Sequence, residues 1–491
     1  MGMHFKDFFK EELTVDEIQE AMAAGVITSK ELVMYYLDRI ANYDQDGPKI
    51  NSILEINPEA VFIAEGLDHE RETIGARGPL HGIPVVLKDN IETNDKMHSS
   101  AGMIALETHL ASKDAFLVKK LRDAGAVIMG KTNMTELANG MSSEMWAGYS
   151  SRGGQTLNPY GDPTLFVGGS SSGSAVSVAA NFTVLAVGTE TDASILSPAI
   201  QNSVVGIKPT VGLISRSGLI PFTYSQDTAG PFARTVKDAA ILLGALTGVD
   251  NADAATYKSE GRFQKDYTSH LDAKGLKGAR IGIFQNASKE FYQSDEFDEE
   301  LFTNAINVLE EEGATIVNNI EIAAFHREWK WGVNFYELKH SLENYLATLP
   351  RHLPVHSISE LIEFNKCIAE KALKYGQDKL EQRATFPNTL RNSDYLKAKL
   401  EDLYFSQEQG IDYVLKTYEL DAIVFPSYIG STISAKAGYP SIALPAGYMK
   451  SGRPFGITLA GPAFSEGALI KLAYAFEQAT KARKSPPTCT K

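Results

Sequence analysis

Phe166-Val167-Gly168-Gly169-Ser170-Ser171-Ser172-Gly173-Ser174 opens the stretch on which the reading of this chain turns. Gly188-Thr189-Glu190-Thr191-Asp192-Ala193-Ser194-Ile195-Leu196-Ser197-Pro198 closes it. Between the two Gly/Ser-rich turns lies an apolar run, and Ala175 to Val187 predicts a helix buried all round. Glycine lets backbone N–H groups approach a ligand closely, and a hydroxyl in such a turn becomes a nucleophile where a base reaches it. A third segment, His81-Gly82-Ile83-Pro84-Val85-Val86-Leu87-Lys88-Asp89-Asn90, sets a lysine at the end of an apolar strand.

Around these segments strands alternate with helices. Helices are predicted over Thr14–Ala24, over Ser29–Tyr43 with Ser29 as its cap, and over Asn57–Thr73. Another covers Ala115–Ala124 and leads into the buried strand Ala126–Met129. Gly140 to Gly161 reads as a long polar loop, a form that in a compact domain tends to carry function. Short strands follow at Val204–Pro209 and Val211–Ile214, then a helix over Thr235–Leu246. Strands at 279–284 and 315–317 flank an amphipathic helix at 298–312, and strands at 420–426, 441–445 and 455–459 precede a closing helix at 466–481. This alternation predicts an α/β fold: a large mixed sheet flanked by helices on both faces. Residues 322–410, rich in Glu, Lys, Leu and Tyr, read as a helical insertion. The expectation is one domain over 1–491, with N-terminal helices in 1–75.

The 491 residues are 43% hydrophobic and 22% charged, as in an ordinary soluble protein. A net charge of −14 and no dense Lys/Arg stripe argue against nucleic acid. Apolar runs fall short of a membrane span. Cys367 and Cys489 are too few for a disulfide framework, and no cysteine–histidine spacing suggests zinc. Met1–Lys10 lacks a signal-peptide core, so a cytoplasmic protein, monomer or homodimer, is expected.

The first Gly/Ser turn is more than a linker, because it joins an apolar segment to a buried helix. A phosphate cradle would need Lys-Ser/Thr after the last glycine, where Ser174-Ala175 stands. Gly169-Ser170-Ser171-Ser172-Gly173 also matches G-x-S-x-G, the nucleophile elbow, with Ser171 as nucleophile. That mechanism needs a histidine late in the chain, and nothing after His356 supplies one. Strand-end lysines are usually solvated. Lys88 instead borders a buried strand, where desolvation would favour its neutral, basic form.

Taken together, the three segments resemble the amidase signature family. Lys131-Thr132-Asn133 with Glu136, Gln155–Pro159, Gly206–Thr210, Gly438-Tyr439-Pro440 and Arg453–Gly456 fit the same pattern, and the resemblance covers nearly the whole chain. It implies a Ser–cis-Ser–Lys amidase that hydrolyses a carboxylic amide to acid and ammonia without metal or cofactor. In that family's terms Lys88 matches the base, Ser170 the bridging serine and Ser194 the acylated nucleophile. Thr191, Asp192, Ala193 and Ser194 would offer backbone N–H groups to the oxyanion.

Three positions depart from the family pattern. Ala193 stands where glycine is usual, which would cost about 1 kcal/mol if the residue needs positive φ. Leu196 replaces a common arginine, which removes a cation and weakens the case for carboxylate-bearing substrates such as glutamine. Ser172 replaces a common glycine and, with Glu190, Thr191 and Asp192, draws the chain toward the peptide-amidase-like branch. The expected partner is therefore a small-molecule or peptide amide. Met141, Trp146, Trp331, Phe335 and Tyr336 are candidates for the acyl pocket, each weighed against simple core packing. Two alternatives stay open: a glutaminase subunit of a tRNA-dependent amidotransferase, and a weakly active or non-catalytic amide-binding protein.

Overall fold

A computed structural model describes residue 9 and residues 12–327, 329 and 332–487. In chain order its strands are β1 (Ile53–Ile56), β2 (Pro84–Lys88), β3 (Val127–Thr132), β4 (Tyr149–Ser150), β5 (Gly154–Gln155), β6 (Leu185–Glu190) and β7 (Val205–Lys208). They continue with β8 (Thr228–Ala233), β9 (Arg280–Ile283), β10 (Thr315–Val317), β11 (Ala422–Pro426), β12 (Ser441–Tyr448) and β13 (Pro454–Ala460). Eleven of these form one sheet in the order β1-β3-β2-β6-β8-β7-β12-β13-β11-β9-β10, and β4 and β5 pair separately. β2 runs parallel to both β3 and β6, whereas β6 and β8 are antiparallel, so the sheet is mixed. This is the α/β architecture that the strand–helix alternation predicts.

The chemistry-bearing segments lie on β2 and at the ends of β6, the third and fourth strands of that order and so inside the sheet. All five residues of β2 are buried, as expected for the unbroken apolar run of a strand covered on both faces. The first helix, Val15–Ala23, is capped by Thr14 in a reciprocal box with Glu17. The next, Ser29–Arg39, is capped by Thr28 and not by Ser29, because Thr28 accepts the Glu31 amide and Glu31 answers it. The third begins at Ala60 rather than Asn57.

The apolar run after the first Gly/Ser turn is not one helix. It is helical only over Ser172–Ala179, and Leu185–Glu190 is strand β6. Asn181, in the left-handed region at φ 58°, ends the helix, and the Leu-Ala-Val segment then pairs with β2 and β8. Val211–Ile214 is a single bridge and not a strand. β1, β8 and the helices Leu196–Gln201 and Ser431–Ala437 are additional to the predicted elements. Residues 332–417 are mainly helical; Leu338 and its neighbours pack into one apolar cluster with residues of 101–149 and 220–222, and a small second cluster forms around Tyr336. No helix among the described residues is long and apolar enough to cross a membrane.

Candidate active site

Strand β2 delivers Lys88 at its last position, and the side chain is fully buried. Its Nζ lies 2.8 Å from Ser170 Oγ, 2.9 Å from Thr189 Oγ1 and 3.0 Å from the Thr189 carbonyl oxygen. Burial pushes the lysine down to about 7, and the nearby carboxylates of Asp227 and Glu190 only partly oppose this. An amine in that range is neutral in a large share of molecules at neutral pH.

Ser170 follows a cis Gly169–Ser170 peptide bond. Its Oγ is 3.0 Å from Ser194 Oγ, so Lys88, Ser170 and Ser194 form one continuous line of polar atoms. The heavy-atom spacing allows protons to pass along it in either sense. Ser194 is 7% exposed, against 0% for Lys88 and 1% for Ser170, and it lines a cavity that the other two do not reach. That cavity, of about 630 Å³, is also lined by Thr191, Asp192, Ala193, Phe222, Asn334, Phe335, Tyr428 and residues of the helix Asp378–Ala384.

Two anchors hold the turn that carries Ser194. Glu190 accepts the amides of Ile195 and Leu196 at 2.6 and 3.0 Å, which pins the chain just beyond Ser194. Asp227 accepts the Thr191 hydroxyl at 2.6 Å and the amides of Phe222 and Thr223 at 2.7 and 2.9 Å. Between these anchors the amides of Thr191, Asp192, Ala193 and Ser194 donate to no acceptor among the described residues. Four unpaired donors in succession beside a hydroxyl are an arrangement able to receive negative charge on a neighbouring oxygen. Ala193 adopts φ 62°, the left-handed region in which a β-carbon is disfavoured. Asp192 accepts from Thr432 Oγ1 at 2.9 Å and keeps its Oδ1 without a partner.

Ser171 belongs to the scaffold. It is wholly buried, donates to the Thr189 carbonyl at 2.9 Å and accepts the Thr189 amide at 3.2 Å, so the elbow pattern is met in sequence only. Gly173 sits where a β-carbon would lie 2.4 Å from the Ser52 carbonyl oxygen and 2.5 Å from that of Asn133, so close backbone packing demands glycine there. Leu196 is fully buried in the main core and lines no part of the cavity. Of the aromatic and apolar candidates, Phe335 lines the cavity, whereas Met141 and Tyr336 pack in apolar clusters. Trp146 is half exposed, and Trp331 lies outside the described residues. Sequence reasoning does not single out Thr189, Asp227 or Asn90, whose Nδ2 is 3.0 Å from Thr189 Oγ1. Only the pairing of strands distant in sequence brings them to the site. Among the described residues no group of three or more His, Cys, Asp and Glu side chains could hold a metal.

Comparison with known proteins bears on the family and the fold. A family model described as Amidase matches residues 31–470. The solved structure of the native peptide amidase from Stenotrophomonas maltophilia superposes with a TM-score of 0.91 at 42% identity, over 98% of this chain and 100% of that one. An Arabidopsis thaliana protein bearing an amidase name is 40% identical over 98% of this chain and 92% of its own length. A glutamyl-tRNA(Gln) amidotransferase subunit of Prochlorococcus marinus is more distant, at 33% identity over 97% of this chain and 99% of its own length.

Proposed function

The chain belongs to the amidase family and hydrolyses amides, and from that premise we propose that it cleaves primary carboxamides, peptide amides among them, through Lys88, Ser170 and Ser194. The observation that carries this reading is the unbroken line from a buried lysine of lowered basicity, through one serine, to a second serine at the cavity wall.

The reaction runs as follows. Neutral Lys88 takes the Ser170 proton as Ser170 takes that of Ser194, and Ser194 Oγ attacks the amide carbon. Negative charge gathers on the carbonyl oxygen, which the amides of residues 191–194 receive, each such donor contributing about 3 kcal/mol to the transition state. The C–N bond breaks, the proton returns through Ser170 to the leaving nitrogen, and ammonia departs. Water then attacks the acyl-Ser194 ester and gives its proton to the same relay. The carboxylic acid leaves, and Ser194 Oγ recovers its hydrogen.

The likeness to the solved peptide amidase, at 42% identity over 98% of this chain, supports a peptide amide. Phe222 and Phe335 offer apolar walls to a side chain. The same reading takes the chain as one domain with residues 322–410 inserted. In its support, the helices Gly332–Ala347 and Asp378–Ala384 contribute wall residues to the cavity that the sheet begins. Treating the protein with a fluorophosphonate and mapping the adduct tests the nucleophile. Label on Ser194, with ammonia released from a panel of primary amides, is the expected result. Label on Ser171, or an intact fold with neither label nor ammonia, would sink it.

A further inference from the structure

Two cations line the cavity without a close ion-pair partner, and the carboxylate of Asp378 offsets only part of their charge. Lys379 and Arg383 lie one turn apart on the helix Asp378–Ala384, on the same face. Neither has a carboxylate within ion-pair distance among the described residues. Arg383 is only 6% exposed. One of its terminal nitrogens donates to the Gly140 carbonyl at 2.5 Å, while its buried Nε has no partner among the described residues. The guanidinium stands 5.3 Å from the ring centres of both Phe222 and Phe335, which hold it without cancelling its charge. Lys379 reaches Asn139 through two long contacts of 3.5 Å. Burial lowers the basicity of both groups, and an arginine brought down to about 10 is still charged at neutral pH.

Desolvated charges without counter-ions are costly, and proteins keep them where a ligand supplies the missing charge. The carboxylates lining the same cavity supply it only in part. Asp378 acts on both cations at a distance while accepting the Ser143 amide at 2.9 Å, and Asp192 accepts from Thr432 Oγ1. The net charge of −14 repels anions at long range, but salt screens it beyond about 8 Å, inside which the unpaired cations and the carboxylates of Asp378 and Asp192 set the field.

We propose that Lys379 and Arg383 select amides whose acyl part carries a carboxylate, so that acidic peptide amides are the favoured substrate class. The proposal rests on the reading that this cavity receives the acyl group. It also reverses the inference drawn from Leu196: the cation for an anionic substrate comes from residues 379 and 383, far along the chain.

The test is equilibrium binding to Ser194→Ala protein, measured by calorimetry so that turnover plays no part. The ligands are N-acetyl-Glu-Phe amide and N-acetyl-Phe-Glu amide, each against its isosteric Gln counterpart. In at least one register the Glu peptide should bind about tenfold more tightly, an advantage that shrinks with added salt. Lys379→Gln and Arg383→Gln should each remove most of it, and Lys379→Glu should turn it toward the Gln peptide. Arg383 also holds Gly140, so Lys379→Gln, which gives up only two long contacts, decides the matter if Arg383→Gln unsettles the fold. Equal affinities, no binding by any of the peptides, or a preference that survives Lys379→Gln would overturn the proposal. Failure of the hydrolytic reading shows separately, as absence of ammonia when active Ser194 protein is given the Gln peptides.

Discussion

Lys88 Nζ stands 2.8 Å from Ser170 Oγ, and no carboxylate lies within ion-pair distance of it among the described residues. A lysine so placed gains little by keeping its proton and is free to take one from a hydroxyl. Acylation should therefore switch on with rising pH. The protonated, inactive form dominates below the folded value of about 7, and the neutral base dominates above it. Rates of Ser194 labelling between pH 5 and 9 check this, and a profile flat across neutrality would contradict it.

Replacing the base should abolish that profile. Lys88→Met keeps the buried volume and removes the proton acceptor, and kcat/KM should fall by about 10³-fold or more. The lost hydrogen bonds to Ser170 and Thr189 are offset by removing the cost of burying the amine, so the thermal midpoint should move little. Full activity in this variant would end the relay mechanism.

Ala193 sits at φ 62° in the turn that carries the oxyanion donors. Ala193→Gly removes a strain of about 1 kcal/mol, partly offset by the greater freedom of glycine in the unfolded chain. Stability should change by less than about 1 kcal/mol. Turnover of a neutral amide should rise, because the β-carbon that lines the cavity beside Ser194 is gone. Unchanged kcat would show that the oxyanion site is already unobstructed.

Glu190 holds the amides of Ile195 and Leu196. Glu190→Gln keeps an acceptor oxygen for both and should fold normally. Glu190→Ala leaves two buried donors unpaired, each costing about 1–3 kcal/mol, and lets the nucleophile drift. Chemical denaturation with parallel ammonia assays separates the two. Equal behaviour of both variants would mean that the carboxyl does not position the turn.

Gly173→Ala should be more damaging than its position in a serine-rich turn suggests. The added carbon meets the backbone of Ser52 and Asn133, which cannot step aside as a side chain could. A loss of about 1–3 kcal/mol is expected, with reduced labelling of Ser194, since the helix start that sets Ser170 must shift. Denaturant midpoints and labelling rates check both effects.

Much of this site is legible in the sequence because its parts are local. Lys88 at a strand end, Ser170 after paired glycines and Ser194 in a second turn each depend on a few neighbours, and a resemblance of short motifs captures them. The strand Leu185–Glu190 escapes such a reading because Ala, Val and Leu suit a buried helix as well as a buried strand. Asn181, not hydrophobicity, marks the change. Strand β8, Thr-Ala-Gly-Pro-Phe-Ala, escapes it because glycine and proline usually argue against a central strand, yet Pro231 pairs opposite Val187. Asp227, Lys379 and Arg383 carry no local signal, since their place depends on which distant segment folds over Ser194.

The register of β2 against β6 sets Leu87 opposite Val187, so the base and the loop bearing the nucleophile leave the sheet side by side. Their separation is governed by the backbone ladder, a rigid spacing of about 4.8 Å between neighbouring strands. The cavity wall, by contrast, is lent by helices more than 180 residues further along the chain from Ser194 at its far end. Reactivity and selectivity thus have separate supports. The helix Asp378–Ala384 can be recomposed, by selection or by an engineer, to admit a different acyl group while the proton relay keeps its dimensions.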